Sequence, residues 1–280
     1  MKGSLFILII ILGACNGLLH HNESETVEKL LQEGFRSDAR EDYRTSILIY
    51  DSILQIKPDQ YIALVNRGRA KINLGDTAAG LANLRYSIKI HPTGSAFASK
   101  AVVELNNEPQ QALIDLRNGD RLMPGKPMII SLLAYYYTAI QPIRDSALHY
   151  ADYTCRLSVT DPVYYNVAMN AYMCFDDYPG LLETSDSLIA HFPKSPYPYN
   201  NRGLAKLNLG DIREAKQDIR TSLNLDSSNA WAYRNMGLVF EKLNGPDSSC
   251  FYFQKARRKD KKRQYKRDID SLILLFCNKK

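Results

Sequence analysis

The sequence predicts an all-α chain, a right-handed superhelical solenoid of about seven helical hairpins closed by a C-terminal capping helix. Three observations carry this. Asn66-Arg67-Gly68-Arg69-Ala70-Lys71-Ile72-Asn73-Leu74-Gly75-Asp76 returns as Asn201-Arg202-Gly203-Leu204-Ala205-Lys206-Leu207-Asn208-Leu209-Gly210-Asp211 with two changes. The copies lie 135 residues apart, one short of four helix-turn-helix units of about 34 residues. Landmarks recur at that period, with Gly34 and Gly68, Pro58 and Pro92, and Gly203 and Gly237 each 34 apart.

Composition agrees: 45% hydrophobic and 24% charged residues is the balance of a folded chain. A solenoid buries its core between successive units, so 280 residues need not mean several separate globular domains.

Residues 1–14 read as a signal peptide. Lys2 supplies a positive start and Leu5 to Leu12 an apolar run too short to span a membrane comfortably, with small residues before Cys15. Leu12-Gly13-Ala14-Cys15 resembles the lipobox of bacterial lipoproteins. That resemblance implies Cys15 as the first mature residue, carrying a diacylglycerol and usually a further acyl chain, enough for stable anchoring. Residues 15–26 read as a polar tether. His20 and His21 fall in it, with no further ligands nearby to make a metal site.

The array then occupies 27–263, in units at 27–60, 61–94, 95–127, 128–161, 162–195, 196–229 and 230–263. These units resemble the tetratricopeptide repeat. The sixth carries Tyr199, Gly203, Gly210-Asp211, Ala215, Ile219 and Ser222 at the family's marked positions, and the second carries Gly68, Gly75-Asp76, Leu84, Ser87 and Pro92. Small residues at positions 8, 20 and 27 let paired helices approach. Glycine at 15 ends the first helix in a left-handed turn, the following Asp caps the second, and proline at 32 stops it. Departures include Ser46 and Ile53 in unit one, Lys100 at position 8 of unit three, Tyr135 at that position of unit four, and the interruption Gln141-Pro142. Less regular packing is expected over 95–161. Residues 264–280 form a cap and tail, with Ile269, Leu272, Ile273 and Phe276 making one apolar stripe.

Of the other cysteines, Cys155, Cys174, Cys250 and Cys277, the spacings show no framework. Each is read as a small apolar residue packed on a helix, with a Cys155–Cys174 bridge between sequential helices as the alternative.

No catalytic or phosphate-binding motif occurs, and Asp176-Asp177 reads as capping. The expectation is a protein that is not an enzyme, with no catalytic residue, cofactor or metal. In the tetratricopeptide repeat the first helices line the concave face, and the resemblance places there Asn66, Arg69, Asn73, Tyr136, Asn166, Asn170, Tyr197, Asn200, Asn201, Asn208, Trp231, Arg234 and Asn235. One reading is a partner-binding groove in which amides bond an extended backbone and aromatic rings supply apolar contact. The other is that these asparagines support the fold.

Residues 257–267 hold eight positive charges and one negative, so the rest of the chain, at a total of +6, sums to −1. An anionic lipid surface, an acidic partner and a simple solvated face all fit.

The expectation is therefore a scaffold or adaptor, lipid-anchored in a bacterial envelope, binding another protein or peptide and no nucleic acid. Asn16 lacks the Asp that resembles an inner-membrane retention signal, which favours the outer membrane. The stretch Phe192-Pro193-Lys194-Ser195-Pro196-Tyr197 is similar to a junction in the helical-repeat lipoprotein of the outer-membrane protein assembly machine, and pilotin lipoproteins are similar in kind. A glycan or small-ligand binder for uptake is the alternative, and an enzyme with a cryptic site a further one.

Overall fold

A computed structural model describes residues 23–157, 162–263 and 265–277. The described residues are helical throughout, with no strand. Cys15, the signal segment and the histidine pair lie outside the described residues.

The chain divides into two compact units, one ending at Ile129 and one beginning at Ile130. The first holds the helices α1 (23–39), α2 (Tyr43–Ile56), α3 (Tyr61–Asn73), α4 (Thr77–Ile90), α5 (Gly94–Glu104) and α6 (Pro109–Leu122). α7 (Pro127–Tyr135) spans the division and runs into a π-helical turn at Tyr136–Ile140. The second unit continues with α8 (Arg144–Leu157), α9 (Pro162–Cys174), α10 (Tyr178–His191), α11 (Pro196–Leu209) and α12 (Ile212–Leu225). It ends with α13 (Ala230–Lys242), α14 (Pro246–Lys259) and α15 (Lys266–Cys277).

Helix α1 takes in residues 23–26, which the sequence reading assigned to the tether. Lys29 Nζ bonds Glu25 Oε1 at 2.8 Å one turn apart, and Val27 and Leu31 pack on Tyr50 and Ile53 of α2. An apolar stripe with a core to meet extends the helix where polarity alone suggested a linker.

Local chemistry sets the ends. α6, α7, α9, α11 and α14 open on proline, whose missing N–H costs nothing in a first turn. Asp76 Oδ1 accepts from Ala79 N at 3.1 Å and Asp177 Oδ1 from Gly180 N at 3.4 Å, capping α4 and α10. Asp211 makes no such bond. Gly210 closes α11 at φ 99°, a left-handed backbone that a side chain would strain.

Close packing explains the small positions. A Cβ on Gly203 would stand 2.6 Å from Ile219 Cγ1, and one on Gly237 2.4 Å from Phe253 Cε1. The second half of each hairpin fills the space that the glycine vacates.

The arginine of the doubled stretch is a cross-link. Arg202 donates from Nε and Nη2 to the two oxygens of Asp218, at 2.8 and 2.6 Å, and from Nη1 to Asp186 Oδ1 at 2.8 Å. Arg67 likewise joins Asn83 and Asp51. In both copies the partners lie sixteen residues before and after the arginine, so one guanidinium ties its own hairpin to the preceding second helix.

In the α5–α6 hairpin the small, fully buried slot is kept by Ala101, and Lys100, expected in that slot, stands one residue earlier, where α3 has Arg67. Its ammonium bonds Glu104 Oε2 at 2.8 Å and also Asp115 Oδ2, all three side chains being buried. A buried ion triad thus stands where α3 and α11 carry the arginine cross-link.

Unit four corrects the register. α7 opens at Pro127, one residue before the unit start read from the sequence, so Ala134 rather than Tyr135 takes the small, fully buried slot. Tyr136, expected on the binding face, is instead buried, its hydroxyl bonding Gln141 Oε1 at 3.0 Å. The π turn is where the chain absorbs the Gln141-Pro142 interruption, with Gln141 N bonded to Tyr136 O at 2.9 Å.

Cys250 and Cys277 form a disulfide, with their Cα atoms 5.3 Å apart, and Cys155 and Cys174 are free. Neither half of the cysteine expectation anticipated this. Cys250 and Cys277 become neighbours because α15 folds back antiparallel on α14, a path that spacing does not reveal. The bridge, the ring pair Phe253–Phe276 at 5.9 Å and the buried Ile269 hold the last helix in place.

Candidate functional site

In the second unit a groove with a cavity volume of about 570 Å³ runs across the first helices of successive hairpins. Its walls come from Tyr135 and Thr138 around the π turn, Asn166, Asn170 and Met173 of α9, Tyr197 of α11, and Trp231 of α13. Tyr265, just before α15, closes one side. α9 and α11 both open on proline, and with α13 they present these side chains from successive first helices.

The lining carries no carboxylate and no basic group. Amides, hydroxyls, thioethers and aromatic rings make it up, so it offers neutral hydrogen bonds from both donor and acceptor sides beside apolar surface. Trp231 and Tyr265 lie with ring centroids 4.8 Å apart, and Arg234 stacks its guanidinium 4.5 Å from the Trp231 ring. Burial, then Tyr197 and Asp260, hold the Tyr265 hydroxyl above its ordinary range, so it stays a neutral donor.

The floor is a chain of bonds. Asn201 Nδ2 donates to Met169 Sδ at 3.0 Å, Asn200 Nδ2 to Asn201 Oδ1 at 3.4 Å, and Asn235 Nδ2 to Asn200 Oδ1 at 3.0 Å. Arg234 Nη1 then donates to Asn235 Oδ1 at 2.9 Å, while its Nε and Nη2 reach Asp268 at 2.8 and 3.2 Å. The network ties α9, α11, α13 and α15 together.

The thirteen residues expected on the binding face therefore separate. Asn166, Asn170, Tyr197, Asn200, Asn201 and Trp231 come together around this groove. Asn200, Asn201 and Asn235 are buried, however, and their amides are spent on the network. Arg234 is committed to Asp268. Asn208 is exposed and bonds Leu204 O on its own helix at 2.9 Å. Asn66, Arg69 and Asn73 lie on α3 in the unit ending at Ile129, where Asn66 bonds Ile62 O at 2.9 Å and Arg69 reaches Asn66 at 3.5 Å. Tyr136 is turned inward by the register change.

Tyr135, Thr138, Val167, Met169, Met173, Asn229 and Tyr265 are the lining residues that the sequence reading missed. A count started from Pro127 would have found Tyr135. Tyr265 follows the last unit and has no signal in the repeat.

Residues 197–229 match the family model described as tetratricopeptide repeat. No curated protein matches the sequence. Among solved structures, the apo form of RapI is 14% identical over 90% of this chain and 82% of its own, with a TM-score of 0.69. A tetratricopeptide repeat protein from Parabacteroides merdae is 16% identical over 91% of this chain and 100% of its own, with a TM-score of 0.59. The Cut9–Hcn1 hetero-tetramer of the APC/C aligns over 86% of this chain and 54% of that one, at 14% identity and a TM-score of 0.54. With one repeat matched in sequence and the helical hairpins matched in shape, the described chain has the fold of a tetratricopeptide repeat protein.

Proposed function

We propose that this chain is a non-enzymatic scaffold of the bacterial envelope, anchored by lipid at Cys15 with the outer membrane favoured, which holds a neutral segment of a partner protein in the groove of its second unit. The observation that carries the proposal is the uncharged amide and aromatic lining. An extended backbone presents alternating N–H and C=O groups, which Asn166 and Asn170 can meet from either side, while Trp231, Tyr197 and Tyr135 bury apolar side chains. The Cut9–Hcn1 assembly supports a partner that is a protein. The Cys250–Cys277 bridge supports export to a compartment where disulfides persist.

The test is site-specific photo-crosslinking from Asn170 and Tyr197 in intact cells. A discrete protein adduct, weakened by Trp231→Ala, is expected; an adduct pattern indifferent to that change overturns the groove. For the anchor, Cys15→Ser should release the protein to the soluble fraction, and its retention at the membrane would reject lipidation.

The same lining favours one other reading. Amides beside a Trp–Tyr pair also suit the hydroxyls and flat faces of a saccharide. Saturable calorimetric binding of purified oligosaccharides, abolished by Trp231→Ala, would establish that reading in place of the peptide.

A further inference from the structure

The basic run is placed on the last hairpin, almost entirely on its exposed surface. Arg257, Arg258 and Lys259 end α14, Lys261, Lys262 and Arg263 occupy the turn, and Lys266 and Arg267 begin α15. All but the half-buried Lys259 are exposed. Among the described residues only Arg257 comes within ion-pair distance of a carboxylate, Asp270 Oδ1 at 4.0 Å. A folded protein normally disperses such charge, and here it supplies more than the whole net charge of the chain.

Apolar side chains stand out on the same hairpin. Phe251, Leu274 and Leu275 are 52%, 67% and 55% exposed. Helical spacing aligns Phe251 with Lys255 and Arg258 on α14, and Arg267 with Ser271 and Leu274 on α15. The antiparallel pairing, locked by Cys250–Cys277, thus carries a cluster of cations at its turn and bare leucines and a phenylalanine toward its other end.

We propose that the α14–α15 hairpin is a docking surface for a bilayer rich in anionic phospholipid. Cations spread over a turn and two helix ends, of which only Arg267 lines a cavity, suit diffuse headgroup charge, to which each Lys or Arg near the surface adds about 1 kcal/mol. The leucines and phenylalanine then enter the interface between headgroups and chains. An acidic protein would match the charge and leave the apolar side chains unused. This surface adjoins the groove at Tyr265 and Arg267, so docking would set the Trp231 end of the groove close to the membrane.

The test uses the full chain carrying Cys15→Ser, so that no acyl chain contributes. It is sedimented with vesicles of phosphatidylcholine alone and of phosphatidylcholine mixed with phosphatidylglycerol. Lys2 and the Met1 amine also favour the mixed vesicles, so the charge variants below isolate the share of the basic surface. Binding is expected to be about tenfold or more tighter to the mixed vesicles at low salt, and to lose that advantage at high salt. Lys261→Gln, Lys262→Gln and Arg263→Gln should each remove roughly fivefold. Leu274→Ser with Leu275→Ser should weaken mixed-vesicle binding further without altering helicity. Equal binding to both vesicles, or charge variants without effect, overturns the proposal. So does binding to soluble polyglutamate without preference for the mixed vesicles, which would identify an acidic protein partner.

Discussion

Asn235 on α13 donates to Asn200 on α11 at 3.0 Å, with both side chains almost fully removed from solvent. In this pair a repeated surface-type residue becomes an internal fastening. Asn235→Ala leaves Asn200 Oδ1 without its donor and takes an acceptor from Arg234, so a loss of about 1–3 kcal/mol is expected. Asn208→Ala, exposed, should change stability by less than about 0.5 kcal/mol. Urea unfolding of the two variants checks the contrast.

Lys100, Glu104 and Asp115 share one buried site. Burial lowers the Lys100 ammonium, but its bonds to Asp115 and Glu104 outweigh that and raise it above its ordinary value. The stabilisation is therefore complete below the unfolded lysine value and is lost as pH rises through the raised one. Lys100→Met strands two buried carboxylates and should cost about 3–5 kcal/mol, whereas replacing all three by apolar residues should restore most of it. Thermal melts at neutral pH, extended toward alkaline pH for the native chain, read both effects.

Reduction of Cys250–Cys277 should cost about 2–4 kcal/mol and loosen α15 first. Trp231 is the only tryptophan and touches Tyr265 at the base of that helix. Its fluorescence is expected to shift to the red on reduction, with amide exchange rising over Lys266–Cys277 before the other helices. Cys250→Ser should reproduce the shift without reductant.

The two free thiols should differ in reactivity. Burial, the largest influence, pushes the Cys155 thiol up to about 11 despite hydrogen bonds from Thr184 and Tyr172, while Cys174 is exposed and raised by burial and Asp176. Only thiolate is alkylated, so iodoacetamide near neutral pH should modify Cys174 first. Keeping Cys155 protonated contributes stability below its ordinary value near 9, and that contribution fades as pH rises toward about 11. Mass spectrometry of labelled peptides against pH follows both.

Gly203→Ala and Gly237→Ala should each cost about 1–3 kcal/mol, since the new methyl meets Ile219 or Phe253. Gly203→Ala combined with Ile219→Ala should cost less than the sum of the two single changes. A urea series of the three variants measures the coupling.

What the sequence by itself determined is the repeated hairpin: helix period, glycine turns, prolines and small positions are local demands that any chain with this pattern must meet. Arg67 and Arg202 were visible in the doubled stretch, yet their partners sixteen residues away belong to facing helices. Which asparagines face a ligand was not legible, because Asn170 and Asn235 present the same chemistry and only packing exposes one and buries the other. The unit-four register, the fold-back that pairs Cys250 with Cys277, and the entry of Tyr265 into the groove wall were likewise decided in the tertiary structure. Each depends on where a neighbouring helix lies, and a pattern of spacings along one chain does not contain that distance.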